Sequence, residues 1–518
     1  MSRTNKSLKN VFIVLIGQGL GIIIAFIART FFVKLLGKEY LGIEGLFTNV
    51  LTVLALTELG VGEAIVYSLY KPLAEKNEEK INILMNLYRK FYIFIGIFML
   101  IAGIGISPFV NVFLSSQPQI NENINLIFLL FVINTAMTYF YSYKKSLLIA
   151  DQNKYITVIY KYACYLVLNI VQIVILYITH NYYLYLTLMI INTLIENVLI
   201  TKKVDQMYPY IRKTTQKLDG KSKNEIVKNT KALMLHKIGA TAVNSTDNIL
   251  ISKLVGIAEV GMYSNYYLIT NAFTTIINQI FNAILASVGN LGVTADNNKK
   301  KEIFQVMNLV NFLIYDFITI GLLTVLNPFI KVWIGNEYIF NFNIILVICI
   351  NFYLNGMRRS VIVFRDALAL YWYDRYKPIV ETLVNLFFSV ILAKRYGIIG
   401  ILLGTSISTI TCCVFIEPYI LYKYGFNSKI KEYFKEYFYY ILILIIEAII
   451  VFGISKLIGI YIGNNILNIA INILLCIIIP NIINYIIFKN RYEGKYLIEI
   501  FKNIFEKVKQ KRMRRIKI

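Results

Sequence analysis

The sequence predicts an all-α polytopic membrane protein of 14 transmembrane helices, built as two parallel six-helix repeats plus two further helices. Three observations predict it. The 518 residues are 57% hydrophobic and only 16% charged, with a mean hydropathy of +0.62; a soluble globular chain is about a quarter charged. Apolar runs of about 20 residues, the length a helix needs to cross a bilayer, recur from end to end. Short motifs also recur in the same order at a nearly constant offset. The runs are continuous and rich in Ile and Leu. That excludes a transmembrane barrel, whose segments alternate over about ten residues.

The first run, 11–33, is too long for the apolar part of a signal peptide and lacks a small-residue cleavage site, so it is read as the first span. The others are expected at 41–69, 91–114, 124–149, 157–178, 183–201, 232–254, 260–290, 304–333, 341–364, 378–393, 397–422, 438–460 and 465–488. A basic, polar stretch at 202–231 links a first six-helix lobe, 1–201, to a second, 232–422. Helices 13 and 14 fill 423–488, and a basic tail fills 489–518. In the tail, Leu497, Ile500, Phe501, Ile504, Phe505 and Val508 follow helical spacing with Lys and Glu between them. This reads as an amphipathic helix on an anionic membrane surface. "SKIKEYFKEYF" (428–438) reads the same way.

Lys and Arg set the orientation, because cytoplasmic loops carry the excess. With the N-terminus inside, the inner segments hold 44 of them and the outer loops 7, among them Lys34, Lys38 and Lys253. Both termini are therefore expected in the cytoplasm. The same asymmetry accounts for the net charge of +24 without a nucleic-acid partner. The outer loops are short, as in "LSSQPQINEN" (114–123) and "THNYY" (179–183), and leave no extramembrane domain on that face.

The repeat is legible in four motifs. "KLLGKEYLG" (34–42) is echoed by "KLVGIAEVG" (253–261), an offset of 219 residues. "MNL" recurs at 85–87 and 307–309, "PFVNVF" (108–113) as "PFIKVW" (328–333), and "KKS" (144–146) as "RRS" (358–360). Each copy holds an even number of spans, so both insert the same way up. Transporters with such parallel repeats bind their substrate near the midplane between the halves and rock one half against the other.

Charges inside spans mark candidate functional residues. An ionisable side chain at the bilayer centre costs about 2.5–3.5 kcal/mol on insertion scales and usually faces a protein interior or a wet cavity. Arg29 is one such residue, and Asp247 lies beside its counterpart Asn248 at the 219 offset. The two are candidates for an ion pair between the halves. Arg29 also fits an anion contact or gate, or a side chain snorkelling to the outer interface. His236 and Lys237 lie near the inner end of span 7 and fit an anion contact or snorkelling toward inner phosphates. Glu58, beside two glycines in "LTELGVGEAIVYSLY", is a candidate carboxylate for a proton or cation, with Glu63 close by. Asp316 is mid-span in "LIYDFITIG", a second gating or ion-coupling candidate, and Glu447 fits a polar contact between spans 13 and 14.

No chemistry-bearing signature appears. There is no phosphate-cradling GxxxxGK[ST] loop. "GQGLG" (17–21) lies inside a span without a preceding strand and reads as close helix packing. The five cysteines all fall in apolar runs without CxxC spacing and read as small buried residues. No cofactor, metal site or catalytic set is expected. Tyrosines cluster at span ends as interfacial belts; "YSNYYLI" (263–269) also fits stacking on sugar rings.

With six, six and two spans, the chain resembles the multidrug/oligosaccharidyl-lipid/polysaccharide (MOP) exporter superfamily, and within it the Wzx-type lipid-linked oligosaccharide flippases. The likeness is strongest over 29–81 and 246–269. It implies a V-shaped bundle with a cationic central cavity and no enzymatic activity. It also implies an undecaprenyl-pyrophosphate-linked glycan as substrate, moved from the inner to the outer leaflet of the bacterial cytoplasmic membrane for capsule or O-antigen synthesis. A polysaccharide polymerase is a candidate partner. By position, spans 13 and 14, with Glu447, match a lipid-tail groove found in related lipid II flippases. Glu58, Asp247 and Asp316 make the charge of the cavity mixed here. An ion-coupled multidrug exporter of the same superfamily is the alternative; a membrane polymerase or ligase fits less well, because the outer loops are short.

If Arg29 contacts an anion or gates the outer side, Arg29→Ala should lower surface polysaccharide while the protein still inserts. Undiminished surface polysaccharide would leave interfacial snorkelling as its role.

Overall fold

The computed structural model describes residues 3–55, 61–211, 245–461, 464–500, 502–503 and 506. The described chain is helical, with short 3-10 and π turns and no strand. In order, α1 is Arg3–Leu36, α2 Lys38–Leu54, α3 Val61–Ala74 and α4 Glu78–Ile106. Then come α5 (Ile124–Tyr139), α6 (Ser142–Ala150), α7 (Lys154–Thr179) and α8 (Tyr182–Met207). A helix at 245–254 is α9. Next are α10 (Ile257–Thr294), α11 (Asn297–Ile334), α12 (Phe342–Ala367) and α13 (Lys377–Tyr396). Ile398–Phe426 is continuously helical and is α14, followed by α15 (Lys431–Tyr461) and α16 (Asn465–Phe488).

Ten helices among the described residues are long and apolar enough to cross a membrane, or eleven if the bent pair of α5 and α6 is one span. The chain is a multi-pass membrane protein. The sequence leads one to expect fourteen spans, and the three that do not register have separate causes. The expected span 41–69 contains residues 56–60, outside the described part, and α2 and α3 on either side are too short alone. Most of 232–254 also lies outside it. The third, α13, carries Lys377, Glu381, Lys394 and Arg395 within 20 residues. Several helices outrun the bilayer, α1, α10 and α11 above all. Large apolar side chains such as Phe12, Leu20, Ile23 and Phe94 point outward, as lipid rather than water requires.

By internal contacts the chain forms two compact units. The first is Met1–Leu268 with Pro378–Ile401. In it α1 packs along α7, α7 on α8, and α5 on α4 and α8. Gly17 and Gly21 make the first of these contacts possible: a Cβ on either would sit 2.7 or 2.3 Å from the ring of Tyr162, whereas Gly19 between them meets nothing.

Close approach decides a second place in this unit. A Cβ on Gly42 of α2 would lie 2.0 Å from the carbonyl oxygen of Ile257, and one on Gly261 of α10 would lie 1.9 Å from that of Lys38. Gly42 and Gly261 are the second glycines of the two echoed motifs, and Lys38 and Ile257 are also 219 residues apart. The contact is therefore reciprocal, each motif touching the other in the same way. Gly45 continues the line against Ser264, again its partner at 219. Nearby, Ser252 at the end of α9 donates to the carbonyl of Phe113 (2.8 Å) and accepts from the amide of Ser115 (3.1 Å).

The second unit is Ile269–Lys377 with Leu402–Ile518. α11 is its axis, packed on α12, α15 and α16. In their most apolar windows α11 and α12 have 56% and 67% of residues buried, against 22% and 17% for α15 and α16. The last two therefore line the flank of a buried pair. Gly356 lets α12 close on the Tyr315 ring of α11. The stretch 428–438 is not a separate surface helix. It runs into α15, and its Tyr433 and Tyr437 are buried, Tyr433 against Phe304 and Tyr422. Aromatic burial outweighs the amphipathic pattern there. The tail is helical over 492–500, and most of the rest of its apolar stripe lies outside the described residues.

Gly42→Val and Gly261→Val should each lower stability by about 1–3 kcal/mol, the usual cost of overpacking. Thermal unfolding in detergent should show the double variant losing less than the sum, since both strain one crossing.

Candidate functional site

The structure pairs charges that the sequence scattered, and it does so within each unit. In the first unit Arg29 is half-buried on α1, and its Nη1 is buried with no hydrogen-bond partner. Arg29 faces Glu44 of α2 and the hydroxyls of Tyr165 (α7) and Tyr185 (α8). The expected ion pair with Asp247 is not made: no ion pair joins the two among the described residues. Asp247, on α9, faces Tyr263 and Tyr267 of α10 instead. Those two rings belong to "YSNYYLI" and tilt against each other 6.4 Å apart. Glu58, His236 and Lys237 lie outside the described residues, as does the Glu63 side chain.

The two copies of the dibasic motif do the same thing. In the first unit Lys144 and Lys145 of α6 reach two acids on α8. Lys144 Nζ lies 2.6 and 2.8 Å from the Asp205 carboxylate, and Lys145 Nζ lies 2.7 Å from Glu196 Oε1. In the second unit Arg358 of α12 grips Glu417 of α14 in a bidentate pair, Nε to Oε2 at 3.0 Å and Nη2 to Oε1 at 2.8 Å. In each expected lobe a base on the fourth span meets an acid on the sixth. The lining of a cavity of about 240 Å³ in the first unit includes Lys144, Asp205, Arg89 and Tyr143.

Around Glu417 the second unit builds a larger network. Lys377 also donates to Glu417, Arg365 lies 3.9 Å from it, and Arg365 pairs with Asp366 and Asp374. Glu417, Asp374 and Lys377 are 1%, 3% and 7% exposed. Burying a carboxylate alone is prohibitive, but bidentate guanidinium bonds satisfy its lone pairs. Two π turns, Thr409–Val414 and Leu421–Phe426, bracket the helical turn that carries Glu417 and Pro418. Such bulges re-aim side chains and often occur at functional sites. Arg359 lies next door, its Nε buried without a partner and its Nη2 on Asn282.

Asp316 and Glu447 were read as separate sites, and the structure brings them together. Asn484 of α16 donates to Asp316 at 3.0 Å and lies 3.4 Å from Glu447. Sequence reasoning passed over Glu44, Glu196, Glu417 and Asn484. The three glutamates carry the intramembrane-charge signal that marked Asp316, so they were findable. Asn484 is uncharged and carries none.

Residues 31–341 match the family model described as polysaccharide biosynthesis protein. The chain belongs to that family. No curated protein matches the chain in sequence. Among solved structures, the lipid II flippase MurJ in an inward closed conformation is 14% identical with a TM-score of 0.67, covering 93% of this chain and 99% of that one. An inward-facing multidrug resistance MATE family transporter of the MOP superfamily is 12% identical with a TM-score of 0.60, covering 78% and 94%. A Vibrio cholerae MATE transporter is 12% identical with a TM-score of 0.56, covering 79% and 94%. At such identities the likeness shows the fold alone.

Glu417→Gln removes the acid shared by Arg358 and Lys377 and should cost about 3–5 kcal/mol, as for other broken buried pairs. Melting in detergent should fall further than for Glu196→Gln, whose pair with Lys145 is more exposed.

Proposed function

We propose that this protein is a flippase. It moves undecaprenyl-pyrophosphate-linked oligosaccharide repeat units from the inner to the outer leaflet of the bacterial cytoplasmic membrane, for surface polysaccharide synthesis. The observation that carries the reading is the family match over 31–341, strengthened by the extent of the structural likeness. The lipid II flippase covers 93% of the chain and the MATE transporters 78–81%. The family's description, polysaccharide biosynthesis, favours a lipid-linked sugar over a free drug as cargo.

The mechanism is alternating access between two six-helix lobes inserted the same way up, with both termini in the cytoplasm. The reciprocal Gly42–Gly261 contact supports this, as does the base-to-acid pairing of fourth and sixth spans in each lobe. A pseudo-twofold device produces such reciprocity. The echoed motifs fall on the outer side in the inferred topology. Arg29, with its unpartnered Nη1, is the anion contact at this end, and Lys237 with His236 the one nearer the cytoplasm. The pyrophosphate is the group they meet, because guanidinium and ammonium donors match phosphate oxygens. Glu58, Asp247 and Asp316 serve gating or ion coupling. Helices α15 and α16, with Glu447, flank the path of the lipid tail.

The second reading, an ion-coupled multidrug exporter, is favoured by the MATE likeness. A deletion strain separates the two. Loss of surface polysaccharide, with lipid-linked repeat units held on the inner leaflet, is expected. Normal polysaccharide with heightened drug sensitivity would overturn the flippase reading.

A further inference from the structure

Asp316 lies midway along α11, Glu447 midway along α15 and Asn484 in the last turns of α16. The first two are 0% exposed and the third 5%. The amide nitrogen of Asn484 lies 3.0 Å from Asp316 Oδ2 and 3.4 Å from Glu447 Oε2, so it straddles the two carboxyl groups and holds them side by side. Asp316 Oδ1, Glu447 Oε1 and Asn484 Oδ1 have no partner. From α12 the buried hydroxyl of Tyr353, also without a partner, faces Asp316. Among the described residues no Lys, Arg or His adds its charge to either carboxyl. This separates the pair from Glu417, which three cations surround.

Two buried carboxylates held against one amide repel each other, and in a site without a cation a proton shared between them is what offsets that repulsion. We propose that Asp316 and Glu447 form a proton-binding site, holding one exchangeable proton between the two carboxyl oxygens and tying α15 and α16 to α11. On release the proton leaves as H⁺ to water and two carboxylates remain. The three helices must then part or admit water, since a bare pair is not stable in this setting. On binding, the proton adds to one carboxylate oxygen, the hydrogen bond re-forms and the helices close. Among the described residues, the titratable and charged groups facing the pair are Tyr353 from α12 and each carboxyl from the other's helix, with none from α16, which supplies the neutral Asn484. The proposal holds whatever substrate is moved, because it concerns the second unit alone.

The test is infrared spectroscopy of the full chain in lipid nanodiscs, following the carbonyl band of protonated carboxyl groups across pH in sodium-free buffer. The wild type should show a band that shifts in D₂O and disappears in one step with a stoichiometry of one proton per protein. Asp316→Asn with Glu447→Gln, a neutral and nearly isosteric change, should lack that component. Its persistence in the double variant would overturn the proposal, as would its absence from the wild type at every pH. Loss of the band on adding sodium at constant pH would also overturn it, by making the pair a metal-cation site. Asn484→Leu keeps both carboxyls, so the test does not depend on the double variant folding. It should displace the midpoint of the step, and an unmoved midpoint would place the proton elsewhere.

Discussion

A charge carried into a bilayer has no water to turn to, and much of this fold is arranged around that constraint. Glu417 is held by Arg358, Lys377 and Arg365, and Lys145 by Glu196. Among the described residues, Asp316 and Glu447 meet the amide of Asn484 and no cation. Each solution joins helices distant in sequence, so it fixes which helices are neighbours as well as satisfying a charge. The solutions differ in what they permit. A carboxylate gripped by a guanidinium stays charged and holds its helices together. A carboxyl pair without a cation changes its net charge when a proton comes or goes.

Glycine handles the second constraint, the approach of one helix to another without a hydrophobic driving force between them. Gly42 and Gly261 bring backbones to a distance that a methyl group would forbid, and Gly17 and Gly21 do the same against Tyr162. At Gly42 and Gly261 the contact obeys the 219-residue offset in both directions.

Much of this was legible in the sequence, for identifiable reasons. Hydropathy located the helices because a bilayer selects on length and polarity, both properties of a local window. The echo of "KLLGKEYLG" in "KLVGIAEVG" was legible because both stretches carry glycines at the same spacing. Asp316 and Glu447 stood out because a charge in an apolar run is conspicuous. The same rule covered Glu44, Glu196 and Glu417, which went unremarked. The amphipathic spacing of 428–438 misled, since Tyr433 and Tyr437 serve a buried aromatic cluster and not a membrane surface.

By itself, then, the amino-acid sequence determined that the chain is a helical membrane protein, roughly where its helices run, and that two stretches echo each other. These follow from composition, period and self-similarity, which are read along the chain. Only the tertiary structure decided the partners: Arg29 facing Glu44 and not Asp247, Asp316 meeting Glu447 through Asn484, and Gly42 seated against the second motif. Pairing depends on which helix faces meet, across 15 residues of chain for Arg29 and Glu44 and more than a hundred for the others. Burial and close packing set that, and neither is written in any local window.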